Sequence, residues 1–197
     1  MGRVTIVVLG HRANADGTFT LEDLPGSGGR IDIIVRSIGA SFFLSRDIRR
    51  NVVFYAILMG GNTAPKTLMV RGDEVRYLNP DERNIAALIR HALLKPSGPE
   101  WRRASPGIYV REGGLVELLP ELENIVILRE GGEDIRGAPM PHNPTFVLSD
   151  KEEFRPEELE ALRSRAVAEL SLGPLSYHTE HAIVIALNEL DRRGEDP

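Results

Sequence analysis

Between positions 30 and 50 the chain places five arginines (Arg30, Arg36, Arg46, Arg49, Arg50) and two aspartates (Asp32, Asp47). Arginine carries a planar, bidentate fork that suits phosphate. Neutralising phosphates is the root of nucleic-acid affinity. An aspartate flanked by arginines stays ionised, so it can orient a substrate N–H or accept its proton. The same interleaving also suits a salt-bridge network, and the pattern leaves both readings open.

Just before this stretch, Pro25-Gly26-Ser27-Gly28-Gly29-Arg30 precedes an expected helix. A glycine-rich loop at a helix start can aim backbone N–H groups at a phosphate. It is not a Walker A loop, because no Gly-Lys-Ser/Thr follows. A flexible loop that caps the helix would read the same way.

Three later segments share one form: Asn124–Leu128, Phe146–Asp150 and Leu170–Leu175. Each is a short apolar strand running into polar or Gly/Pro residues. In a parallel sheet such strand ends line the ligand crevice, so the three loop starts are expected to converge on one ligand.

Other chemistries are thinly represented. The chain has no cysteine, which excludes disulfide scaffolds, thiolate metal sites and thiol nucleophiles. His178 and His181 are three apart, but with no third ligand nearby a role at the start of the last helix is expected, and no metal. There is neither a Gly-x-Ser-x-Gly elbow nor a His-Glu-x-x-His motif.

The elements that must position these residues alternate between strand and helix patterns. Strands are expected at Val4–Leu9, Asn51–Met59, Lys66–Val70, Gly107–Val110, Asn124–Leu128, Pro144–Leu148 and Leu170–Leu172. Asn51–Met59 is apolar throughout, as a strand covered on both faces would be. Helices are expected from Ile31 to Phe42, from Pro80 past Leu93, at Leu115–Leu122, at Glu157–Ala168 and at His178–Arg193. His11–Gly29 and Gly131–Asn143 read as loops. The alternation argues for an α/β fold with a mainly parallel sheet, as one domain over 1–197.

The 197 residues carry a net charge of −5, unevenly spread. Residues 1–111 hold 16 Lys and Arg against 10 Asp and Glu, whereas residues 150–197 hold 6 against 12. The first part therefore offers a basic surface for a polyanion, although compositional drift would give the same bias. The apolar stretch Val4–Leu9 is too short for a signal peptide, and no run approaches the ~20 residues of a membrane span. A cytoplasmic protein with no membrane partner is expected.

Five segments in order resemble one family: Leu24–Asp32, Phe42–Arg50, Pro80–Asn84, Pro106–Val110, and Leu172–Leu175 with His178 and His181. They are similar to the archaeal tRNA pseudouridine N1-methyltransferases of the SPOUT superfamily, over nearly the whole chain. The resemblance implies a SPOUT-type sheet with a C-terminal trefoil knot, a homodimer, and S-adenosyl-L-methionine bound in the knot. It implies methylation of N1 of a pseudouridine in the T-loop of tRNA, at position 54. By position, Leu128, Ser149, Leu172, Gly173, Pro174, Leu175, Ser176, Tyr177 and Ala182 become the cofactor residues. Arg46 stands where histidine is common in the family.

In this reading Asp32 or Asp47 accepts the N1 proton, and Arg30, Arg49 or Arg50 stabilises developing charge and holds phosphate. Which aspartate is the base stays open. Two alternatives remain: a ribosomal RNA methyltransferase of the same superfamily, and a non-catalytic RNA-binding protein.

Overall fold

The computed structural model describes residues 2–194. In chain order the elements are β1 (Val4–Asn14), α1 (Leu24–Ser27), α2 (Ile31–Phe42), β2 (Val52–Gly60), β3 (Lys66–Arg71) and α3 (Glu82–Leu94). Then come β4 (Arg102–Ser105), β5 (Ile108–Glu112), α4 (Leu115–Leu118) with a single 3-10 turn, and β6 (Ile125–Asp134). The last are β7 (Thr145–Ser149), α5 (Pro156–Arg163), β8 (Ala166–Ser171) and α6 (Thr179–Arg193). The strands form one sheet in the order β4-β5-β3-β2-β1-β7-β6-β8. From β2 to β8 every pairing is parallel, while β3, β5 and β4 extend the sheet antiparallel.

Strand alternation divides the core in two. Ile6, Val8, Phe54, Val126 and Phe146 face α2, α3 and α6. Val7, Leu9, Tyr55, Ile127 and Val147 face α4 and Leu162 of α5. Successive side chains on a strand point to opposite faces, so a run such as Ile6–Leu9 must be apolar throughout when both faces are covered. α2 turns Ile31, Ile34, Val35, Ile38 and Phe42 inward at helical spacing. Asp81 caps α3 by accepting from the backbone N–H groups of Arg83 and Asn84.

The structure departs from the sequence expectations at four places. The expected helix Glu157–Ala168 ends at Arg163, and Ala166–Ser171 is the edge strand β8. One face of that strand is solvent-exposed, so Ala166-Val167-Ala168-Glu169 lacks the apolar run of a central strand. β6 continues past Leu128 to Asp134, and the register shifts so that Leu128 and Glu133 both stand opposite Leu170. β1 runs on through His11 to Asn14, where Asn14 pairs with Gly60. β4 has arginines at its start and forms the other edge of the sheet, again without an apolar run.

Candidate active site

The parallel strands β6, β7 and β8 end on the same edge of the sheet. There, a pocket of about 690 Å³ opens between their C-terminal ends and the approach to α6. Of the nine residues expected to hold a cofactor, eight line it: Leu128, Ser149, Leu172, Gly173, Leu175, Ser176, Tyr177 and Ala182. Pro174 does not. Another wall is the segment between β7 and α5, including Asp150, Glu152 and Phe154.

The loop from Leu172 to His178 carries the chain across these strand ends. Gly173 has φ +135° and open space where a Cβ would project, a conformation few L side chains adopt. Tyr177 is also left-handed, at φ 65°. Such strain in a non-glycine residue persists where the surroundings enforce it, often at a ligand site. Among the described residues, the backbone N–H and C=O groups of Leu175, Ser176 and Tyr177 have no backbone partner. The loop is anchored at its far end, where the Thr179 hydroxyl donates to the Ser149 carbonyl at 3.0 Å.

At the start of α2, Arg30 grips Asp32 with two hydrogen bonds of 3.0 and 3.1 Å. Arg36 meets the same carboxylate at 2.9 Å and Glu180 of α6 at 2.8 Å. Burial alone would raise the Asp32 carboxyl, but the two guanidiniums more than offset it and hold it below the usual carboxylate range. Arg30 itself is left-handed at φ 74° and about a third exposed.

The remaining candidates lie elsewhere. α2 is 12 residues long, about 18 Å at the usual rise, and Arg46, Asp47, Arg49 and Arg50 follow its far end. The Arg/Asp stretch is therefore two groups at opposite ends of one helix. Asp47 is exposed and held ionised by the Ile48 N–H and then by Arg50. Arg49 pairs with Asp191 near the end of α6, with one bond of 2.8 Å.

The glycine-rich loop does not offer a phosphate cradle. The N–H groups of Gly26 and Ser27 are taken by Asp23, and those of Arg30 and Ile31 by Pro25 and Gly28. A Cβ at Gly29 would lie 2.0 Å from the Arg12 carbonyl oxygen, so this glycine lets the loop close on the β1 tail. His178 occupies the N-cap position of α6 without a side-chain cap bond, and its ring stands edge-on to His181 at 5.6 Å. Among the described residues no group of three or more His, Asp or Glu is placed to hold a metal ion.

The sequence reading missed His11, Asp150 and Glu158. The His11 ring lies 2.9 Å from a carboxylate oxygen of each. The signal was available in part, since Asp150 directly follows a strand expected to end at the ligand crevice.

The pocket fits S-adenosylmethionine. Its volume falls in the usual range for small-molecule sites, about 300–1,000 Å³. Five carboxylates and three cationic side chains line it, a balance that suits a sulfonium cation.

Residues 4–194 match the family described as "Putative SAM-dependent RNA methyltransferase". A curated protein of Methanocella arvoryzae, named tRNA (pseudouridine(54)-N(1))-methyltransferase, is 47% identical over 188 residues, spanning 95% of this chain and 98% of that protein. The protein of the same name from Methanocaldococcus jannaschii is 40% identical over 183 residues, 88% of this chain and 89% of its own. Among solved structures, Archaeoglobus fulgidus Nep1 bound to S-adenosylhomocysteine superposes with a TM-score of 0.68 at 15% identity. That match covers 99% of this chain and 100% of the other, and it shows a shared fold.

Proposed function

The chain belongs to the family of SAM-dependent RNA methyltransferases, and we infer that it is a tRNA (pseudouridine(54)-N1)-methyltransferase using S-adenosyl-L-methionine. The observation that carries this is the pocket at the ends of β6, β7 and β8, lined by eight of the nine expected cofactor residues. Relatives named tRNA (pseudouridine(54)-N(1))-methyltransferase align along nearly their full length.

Bound in this pocket, S-adenosylmethionine supplies the methyl group from its sulfonium. The loop Leu172–Tyr177 would hold it by backbone groups, with Gly173 letting the chain come close. In pseudouridine the sugar is on C5, so N1 bears a weakly acidic N–H. Methyl transfer to that nitrogen is an in-line displacement that needs alignment and loss of the N1 proton, which passes to solvent water. Arg30, held by Asp32 and near enough to feel the charge of the pocket residue Asp150, stabilises negative charge as it develops on the base. Asp32 has both oxygens engaged and is a weak base, so its part is to hold Arg30.

The reading includes a homodimer acting on tRNA in the cytoplasm. Two observations support the dimer. Leu175, Tyr177 and Val184 leave apolar side chains exposed on the pocket loop and α6. Arg46 and Arg50 lie at the far end of α2 from their own pocket, a placement that suits delivery to the same RNA by a second protomer. It also includes the trefoil knot. The wrapping of β6 around Leu170 supports that, as do the bonds from Arg193 to the Ile135 and Ala138 carbonyls.

Calorimetry with S-adenosylmethionine in EDTA tests the reading. Binding at one site per chain is expected. No binding would leave an RNA-binding protein without this chemistry.

A further inference from the structure

His11 takes no part in the machinery above, yet it is tied to the pocket from beneath. Its side chain is fully enclosed. Nδ1 lies 2.9 Å from Asp150 Oδ1, Nε2 lies 2.9 Å from Glu158 Oε2, and its backbone N–H donates to Asp150 Oδ2 at 2.8 Å. A carboxylate only accepts, and a neutral imidazole has a single N–H. Satisfying both contacts therefore takes the imidazolium.

Asp150 and Glu158 bracket the segment that forms one wall of the pocket. Asp150 Oδ1 also accepts the N–H of Glu152 at 3.0 Å, and Glu158 Oε2 that of Arg155 at 2.8 Å. One ring thus fastens both ends of the wall to β1. Without its second proton, one carboxylate would face a bare ring nitrogen in a buried site.

We propose that His11 is a positioning residue for methyl transfer: its imidazolium clamps the 150–158 wall to β1, and loss of its proton loosens the wall and weakens cofactor binding. This rests on the assignment of the pocket to S-adenosylmethionine. The charged groups that act on the ring are Asp150, after β7, and Glu158, on α5. Arg30, at the start of α2, acts in turn on Asp150, and Arg12, next along β1, is exposed. Burial lowers the affinity of the ring for its proton, but the two carboxylates outweigh it and push the pKa up to about 8. The clamp is therefore closed at neutral pH and opens as pH rises through that value.

The test is calorimetric titration with S-adenosylhomocysteine from about pH 6.5 to about pH 9, on wild type, His11→Gln and Glu158→Gln. Circular dichroism checks folding at each pH. The amino group of the ligand titrates equally in all three, so the comparison between proteins isolates the clamp. His11→Gln should bind about fivefold more weakly at neutral pH, and the gap should close at the alkaline end. In Glu158→Gln the wild-type transition should move to lower pH by about one unit, because one stabilising carboxylate is gone.

A gap that stays constant across the range, or no gap at all, overturns the proposal. Should His11→Gln fail to fold, an unmoved transition in Glu158→Gln overturns it equally. If wild type binds no S-adenosylhomocysteine at any pH, the cofactor assignment falls and this proposal falls with it.

Discussion

The hydroxyl of Thr179 donates to the carbonyl of Ser149 at 3.0 Å, tying the first residue of α6 to the last of β7 across the floor of the pocket. Thr179 is buried, so Thr179→Val keeps the shape and strands the Ser149 carbonyl. The lost bond is worth roughly 1 kcal/mol or a little more. Calorimetry should show affinity for S-adenosylmethionine reduced several-fold in Thr179→Val and largely kept in Thr179→Ser.

Gly173→Val should be more severe. At φ +135° a β-branched residue is strained whatever the space around it, so the pocket-lining loop would have to shift. Cofactor affinity is expected to fall by more than about tenfold, beyond 1.4 kcal/mol, with a modest loss of thermal stability. Unchanged affinity would place the pocket elsewhere.

How far each part was legible follows from what its residues do. The pocket loop could be read because glycine, proline and small polar residues after short apolar strands mark strand ends in a parallel sheet. The end of β8 was read as the strand Leu170–Leu172, but its start was hidden because an edge strand keeps one exposed face and Ala166-Val167-Ala168 read as the end of a helix. The His11 clamp joins residues 139 and 147 apart. A lone histidine in an expected loop gave no sign of partners so distant.

Stability should fall on the alkaline side. The folded-state pKa of His11, about 8, lies above the ordinary value, so the folded protein binds this proton more tightly than the unfolded chain. The contribution is complete below about pH 6.5 and is lost as pH rises through about 8, and it amounts to about 2 kcal/mol. Urea unfolding at about pH 6 and about pH 9 should show that difference in wild type and not in His11→Gln.

Asp32→Asn and Asp47→Asn should separate sharply. Asp32 is buried between Arg30 and Arg36, so its amide variant loosens Arg30 and lowers turnover at saturating substrate, with roughly 1–3 kcal/mol lost in stability. Asp47 is exposed, and its variant should keep both fold and RNA affinity. Equal, wild-type rates for both across the pH range would remove Asp32 from the mechanism.

Arg50 is more than half exposed and its pair with Asp47 is a long one at 3.4 Å, so it can turn to phosphate, and Arg50→Ala should reduce the salt dependence of tRNA binding by about one unit of slope. Arg49→Ala should act mainly on stability, since Asp191 holds that side chain. If the far end of α2 serves the partner's pocket, co-expressed Gly173→Val and Arg50→Ala chains should regain activity. Each mixed dimer then holds one intact site, about a quarter of wild-type sites for random pairing. No recovery would assign each site to a single chain.

The central claim is that N1 of pseudouridine 54 is the methyl acceptor. Two tRNA transcripts, identical except for pseudouridine or uridine at that position, should be incubated with the protein and S-adenosylmethionine, digested to nucleosides and analysed by mass spectrometry. N1-methylpseudouridine should form from the first, and the second should stay unmodified because its N1 carries the sugar. Methylation of the uridine transcript, or none of the pseudouridine transcript, would contradict the account.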